Sequence, residues 1–360
     1  MPFRSPTATA QRNWLTLDAA QRFVAVMSAA RRLSASGQMA RLGESVTGLG
    51  FGRRERRVHG KRQILAEPVL VVFVQEKWQP GDRRAASEAA IPPAIQMRLP
   101  VADRRVELAI PTDVCQEPPV PKVQSDRNGI CVRSNTSPTK LRGSVCALLR
   151  RAKAPDNGAR YLLGCHHVIF RSTLDPNGRA DSGSFAYTLP DGEQYLGYPT
   201  RPARYGPDEA ASIDAALVRL DAEGLKLATR KSFWKTVPFT WASEAQVEMF
   251  ARSGMKLVSQ HGEDIELSYV RHRYNQKVKN LAGAVVNIGL VIVAETTVNS
   301  ARARPECGDS GSPIVADSIL LSMHIAGDEW GTSYSIPAFT LFKSTTFSER
   351  FILASNDITD

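Results

Sequence analysis

The chain has 360 residues, 42% hydrophobic and 23% charged, with a net charge of +10, the composition of a folded globular protein long enough for two domains. It holds no run of about 18 apolar residues, which excludes a helical membrane span, and no phosphate loop, dinucleotide fingerprint or metal-ligand spacing, so neither cofactor nor metal is expected. Its five scattered cysteines, an odd number, exclude a disulfide scaffold and point to thiols in a reducing compartment; with no secretory pattern at the N-terminus, a cytoplasmic location is expected.

Residues 1–62 carry twelve arginine and lysine residues against Asp18, Glu44 and Glu55, which is nearly all of the net charge. The plain reading of this region is a solvated basic surface; an acidic partner or regulator is the alternative, and nucleic acid is not expected. Residues 1–13 read as irregular. Leu17, Ala20, Phe23, Val24, Met27, Ala30 and Leu33 recur at helical spacing and predict one helix from Thr16 to Leu33, capped by Thr16 or Asp18. Residues 1–45 thus form a basic helical extension.

A small β-rich domain is expected over 46–125. Val46–Gly52 alternates glycine with apolar residues as a strand, a basic turn follows over 53–62, and Val69–Val74 is an unbroken β-branched run that reads as a buried strand. Residues 83–98 are helix or loop, and Val106–Ile110 is a strand. The prolines of 116–127 mark a linker.

The main domain runs from 126 to 347. Val145–Leu149 and Tyr161–Leu163 form a hairpin about the turn at Pro155–Gly158, and Tyr195–Tyr198 is a strand candidate. Val247–Phe250, Ile265–Leu267, Val285–Ile288, Leu290–Val293, Ile314–Val315 and Leu320–Gly327 are further short strands at barrel-like spacing. Residues 348–360 read as a surface tail.

Within this domain one string carries chemistry. Cys307-Gly308-Asp309-Ser310-Gly311-Ser312-Pro313 is a glycine-flanked turn feeding an apolar strand. Its glycines allow close backbone approach to a substrate, and the amides of Gly308 and Ser310 are placed to face one developing oxyanion. A serine there needs a base to become a nucleophile. Upstream, the apolar run Tyr161–Gly164 ends near the pair His166-His167, and Asp214 heads the run Ala215–Val218.

The order His167, Asp214, Ser310 resembles that of the chymotrypsin-like (trypsin-like) serine peptidases. Leu163 to Val168 matches the family's Leu-x-x-x-His-Val form at His167 rather than His166, and Asp-Ala-Ala-Leu favours Asp214 over Asp208 and Asp221. The resemblance implies a mainly β fold, a double β-barrel preceded here by a small N-terminal α+β region. It also implies a serine endopeptidase acting on protein or peptide substrates, with Ser310 as nucleophile, His167 as base and Asp214 orienting it. The lack of a disulfide framework is more similar to intracellular bacterial-type branches. The leading region is then a regulatory domain or a cleavable propeptide. The alternative is a catalytically silent protein on this fold that uses its basic N-terminus to bind nucleic acid or an acidic partner.

Arg304 stands six residues before Ser310, where trypsin has an aspartate, so trypsin-like specificity is not expected. His324-Ile325-Ala326-Gly327 resembles the segment with which viral 3C-like and glutamyl peptidases bind Gln or Glu, although Ser322 replaces its first glycine. Arg304 and His324 are the expected specificity residues. Ile325, Ala326 and Gly327 are expected to offer backbone hydrogen bonds to an extended substrate. Cleavage after Arg127 would not free an apolar terminus, so Asp309 is expected to find another partner. Cys165 and Cys307 read as small buried thiols.

Overall fold

A computed structural model describes residues 5–359 except 37, 43–44, 59–60, 76–90, 102, 124–131, 135–142, 154–157, 172–184, 190–191, 253, 260–262, 281–282, 298–303 and 307. The chain divides into two compact units, Met1–Pro119 with Val270–Gln276, and Val120–Tyr269 with Lys277–Asp360.

The first unit begins with two helices where the periodicity suggested one. Thr7 caps α1 (Ala8–Thr16), accepting from Ala10 N at 3.2 Å, so residues 5–13 are not wholly irregular. The helix breaks at Leu17. Asp18 then caps α2 (Ala19–Ala35) in a reciprocal capping box with Gln21, satisfying two backbone donors at once. Four strands follow: β1 (Val46–Val58), β2 (Lys61–Val74), β3 (Ala94–Val101) and β4 (Arg104–Gln116). β1 and β2 pair as a long antiparallel hairpin, so most of the expected basic turn is strand. β2 pairs parallel with β4, and β3 antiparallel with β4.

The unbroken apolar run of β2 has a direct explanation. Leu70, Val72 and Val74 face the main core with Phe23, Val26, Leu33, Phe51 and Leu108, while Val69, Val71 and Phe73 form a second cluster on the opposite face. A strand buried on both faces has no polar alternation. The basic residues here are partly consumed inside the unit. Arg22 donates to Trp14 O and Leu15 O, Arg32 to Arg98 O, and Arg54 pairs with Glu67 at 2.6 Å.

The second unit contains β5 (Lys122–Val123), β6 (Val132–Ser134), β7 (Val145–Arg151), β8 (Arg160–Gly164), β9 (Phe185–Leu189), β10 (Gly192–Pro202), β11 (Ala216–Leu220), α3 (Ala222–Ala228) and β12 (Thr240–Trp241). It continues with α4 (Val247–Arg252), β13 (Met255–Leu257), both ends of β14 (Ile265–Lys279, whose middle, Val270–Gln276, belongs to the first unit), β15 (Val285–Thr296), β16 (Pro313–Ala316), β17 (Ile319–Gly327), β18 (Thr332–Pro337), α5 (Ala338–Leu341) and β19 (Phe351–Leu353). The expected hairpin is β7–β8, with its turn residues 154–157 outside the described residues. One sheet has the order β19-β7-β8-β11-β10-β9-β6. In the other, the path β13-β16-β17-β18-β15-β14 returns from β14 to β13 and so closes on itself. Leu257, Ile265, Leu267, Ile292, Ile314 and Leu321 share its core. The protein is mainly β, with a small α+β unit at its N-terminal end.

Three local expectations are corrected. Val247–Phe250 is helical, because Ser243 and Gln246 form a capping pair that starts a turn (Ser243 N to Gln246 Oε1, 3.1 Å). The two runs 285–288 and 290–293 are one strand. The C-terminal segment is not merely surface: Phe351 is buried edge-to-face against Tyr161 and Phe347, and β19 pairs with β7. No helix among the described residues is long and apolar enough to cross a membrane, and Cys115, Cys146 and Cys165 form no disulfide.

Candidate active site

The two histidines do not lie in a strand. β8 ends at Gly164, and the chain turns at once into a short π-helical stretch from His167 to Arg171. The turn separates the two rings. His166 packs between Tyr205 (4.7 Å) and Phe170 (5.2 Å). The His167 ring instead meets Asp214, with Nδ1 2.6 Å from Oδ2. The other carboxylate oxygen, Oδ1, accepts the backbone N–H of His167 at 3.0 Å. One carboxylate therefore holds both the backbone and the ring of the same residue.

Asp214 is itself rigidly placed. Ser212 N donates to Asn287 O and Gly289 N to Ser212 O, Ile213 N donates to Arg204 O, and Ala203 N to Ala215 O. The rival Asp221 is engaged elsewhere, capping α3 through Gly224 N at 2.7 Å.

The Ser310 turn is built on positive φ at Gly308 (103°) and Gly311 (97°). Asp309 finds its partners close by: Oδ1 accepts from Ser259 Oγ and Oδ2 from Glu306 N, both at 2.8 Å. A residue that sequence reasoning missed ties this turn to the rest. Ser144 N donates to Ser310 O at 2.7 Å, and Ser144 Oγ donates to Gly308 O at 3.0 Å. Its neighbour Gly143 sits between Val168 and Ser310 so tightly that a Cβ there would lie 2.5 Å from Val168 and 2.8 Å from Ser310 O. The only advance signal was a Gly-Ser pair at the head of β7.

His167, Asp214 and Ser310 are all completely buried. Ser310 Oγ donates to Ile325 O at 3.2 Å, and among the described residues His167 Nε2 has no hydrogen-bond partner. The His–Asp half of the constellation is thus made, and the serine hydroxyl is held on β17. Cys165 joins the cluster: its thiol donates to His324 O at 3.3 Å, and its sulfur lies within 4.8 Å of the ligand atoms of His167 and Asp214. These three could ligate a metal only after the thiol lost its proton and the His–Asp bond opened.

Arg304 is exposed. His324 is completely buried, with Nδ1 2.8 Å from Ser333 Oγ. Ala326 and Gly327 stand opposite Val123 and Lys122 of β5. Cys307 lies outside the described residues.

Electrostatics follow burial. Burial alone would raise the Asp214 carboxyl, but the adjacent His167, by charge and hydrogen bonding, outweighs it and holds the group below the ordinary carboxylate range. Burial, reinforced by Asp214, pushes the Cys165 thiol well up, so it stays protonated. Burial pushes His166 down to about 4. The unfolded chain therefore takes up a proton on His166 that the fold refuses. Its stabilising effect is fully present above pH about 6.5 and is lost as pH falls toward 4, on the order of 3 kcal/mol. Thermal unfolding followed between pH 7 and 4 should show a shallower decline in His166→Phe than in the wild type; parallel curves would remove His166 as a source of acid lability.

No family model matches the chain, and no curated protein matches it. Among solved structures, the chain is similar to the Rv3671c protease in its inactive form (17% identity, TM-score 0.29, covering 58% of this chain and 82% of that one). It is also similar to kallikrein-related peptidase 10 in complex with Zn2+ (13% identity, TM-score 0.27, covering 57% of this chain and 95% of that one).

Proposed function

We propose that the chain is a serine endopeptidase of the chymotrypsin-like kind, with all of its chemistry in the second unit. The observation that carries this reading is the dual grip of Asp214 on His167, through Nδ1 and through the backbone N–H, beside Cys165, whose thiol shares the acceptor His324 O with Gly311 of the Ser310 turn. A carboxylate on Nδ1 keeps that nitrogen protonated and leaves Nε2 as the base.

In the reaction, Ser310 Oγ attacks the carbonyl carbon of a peptide bond while His167 Nε2 takes its proton. The tetrahedral oxyanion is held by the amides of Gly308 and Ser310. His167 then protonates the departing amine, the C–N bond breaks, and an acyl-enzyme remains on Ser310. Water, activated by the same nitrogen, releases the acid. Reaching this arrangement requires Ser310 Oγ to leave Ile325 O and meet His167 Nε2.

Arg304 and the His324 segment favour Glu or Gln before the scissile bond. Digestion of a peptide library, read by mass spectrometry, should show cleavage that disappears in Ser310→Ala and clusters after Glu or Gln. Cleavage without that preference would discard the specificity assignment, and identical products from Ser310→Ala would discard the peptidase reading.

A further inference from the structure

The strand expected to bind substrate already carries a peptide. β17 pairs with β16 only as far as Met323, and with β18 along its other edge from Ser322 to Gly327. Beyond Met323 the contacts run in sequence. His324 O accepts Gly311 N at 2.9 Å, Ile325 O accepts Ser310 Oγ at 3.2 Å, and Ala326 and Gly327 pair antiparallel with β5. β5 is anchored from behind as well: Lys279 N donates to Pro121 O at 2.8 Å, and Lys122 stands opposite Lys279.

The direction of β5 is informative. Lys122 faces Gly327 and Val123 faces Ala326. The chain thus runs, N to C, toward Ile325 and the hydroxyl of Ser310. That is the polarity required of the N-terminal side of a substrate whose next residue is to be cleaved. In the sequence the next residue is Gln124, one of the two types favoured before the scissile bond.

We infer that Pro121-Lys122-Val123 is a resident occupant of the expected main-chain subsite at Ala326–Gly327, bound there with the polarity of a substrate. This rests on the peptidase reading and names its substrate class, an extended peptide of the type Pro-Lys-Val-Gln. Main-chain pairing gives such a ligand its affinity, and being tethered gives it a high effective concentration. The occupant keeps competing peptides out and holds β17 while Ile325 O keeps the Ser310 hydroxyl.

The test compares labelling rates with a fluorophosphonate probe for the full-length wild type, Val123→Pro and Val123→Pro/Ser310→Ala. Proline removes an N–H from the strand and disfavours pairing. Val123→Pro should label at least about tenfold faster than the wild type, the double variant should not label, and a synthetic peptide covering residues 118–126 should slow Val123→Pro back toward the wild-type rate. Recovery by the peptide also shows that the variant's site is intact; Lys122→Pro serves in its place if Val123→Pro does not fold. Equal rates in wild type and variant, with both labelling at Ser310, would overturn the inference and leave the peptidase reading standing. Folded variants and wild type that all fail to label would overturn the peptidase reading, and the inference with it.

Discussion

Replacing Asp214 with asparagine will lower peptide hydrolysis about 10⁴-fold without unfolding the protein. Both carboxylate oxygens of Asp214 are occupied as acceptors, Oδ1 by the His167 backbone N–H and Oδ2 by ring Nδ1 at 2.6 Å. Asparagine has only one acceptor oxygen. If that oxygen keeps the backbone N–H, the amide NH₂ faces Nδ1 and can only donate to it. The ring then carries its proton on Nε2 and is no base for Ser310. Because Asp214 is completely buried and its charge is stabilised by His167, the substitution also removes a buried ion. The decisive comparison is therefore kcat against circular dichroism. A fall of about 10⁴-fold with an unchanged spectrum and melting transition marks a tautomer defect. Full activity in Asp214→Asn would show that the pair is structural.

Gly311→Ala will cost more stability than any other glycine-to-alanine change near the site, about 3 kcal/mol or more, and will remove activity. Two effects add. Its φ of +97° is a conformation in which a side chain is strained, and a Cβ there would lie 1.9 Å from Ser144 O. Relieving that overlap moves Ser144 away, and Ser144 supplies the bonds to Ser310 O and Gly308 O. Gly254 separates the two effects. It has a similar φ of +107° and nothing within 4 Å of an added Cβ, so Gly254→Ala should lose only the strain, about 1–2 kcal/mol. Urea unfolding of both variants checks the difference. Equal losses would mean that Ser144 does not clamp the turn.

What could be read in advance, and what could not, divides along the range of the interaction. The Val69–Val74 run signals a strand buried on both faces because local composition alone encodes it. The Gly-Asp-Ser-Gly turn is likewise local, since its shape depends on positive φ at its own glycines. The break between α1 and α2 was also within reach: Asp18 and Gln21 have capping-box spacing, and helical periodicity simply ran across them. The same applies to Ser243 and Gln246 ahead of α4. The C-terminal strand was missed because Phe351 owes its burial to Tyr161, 190 residues earlier, with no periodic pattern to announce it. Ser144 and β5 are harder still. Each acts through backbone groups on a segment distant in sequence, Ser144 on Ser310 and β5 on Ala326–Gly327. Backbone pairing leaves little trace in residue type. For the histidine pair, the family form singled out His167, and in the structure it is the π-helical turn that parts the two rings.

Mapping a fluorophosphonate adduct by mass spectrometry tests the central claim most directly. The probe bonds covalently to a serine oxygen made nucleophilic by a neighbouring base, and to few others. Incubation of the full-length protein should yield a single adduct on the peptide containing Ser310, formed slowly in the wild type and absent from Ser310→Ala and from His167→Ala. A folded protein that forms no adduct, or an adduct that survives in Ser310→Ala, would contradict the account.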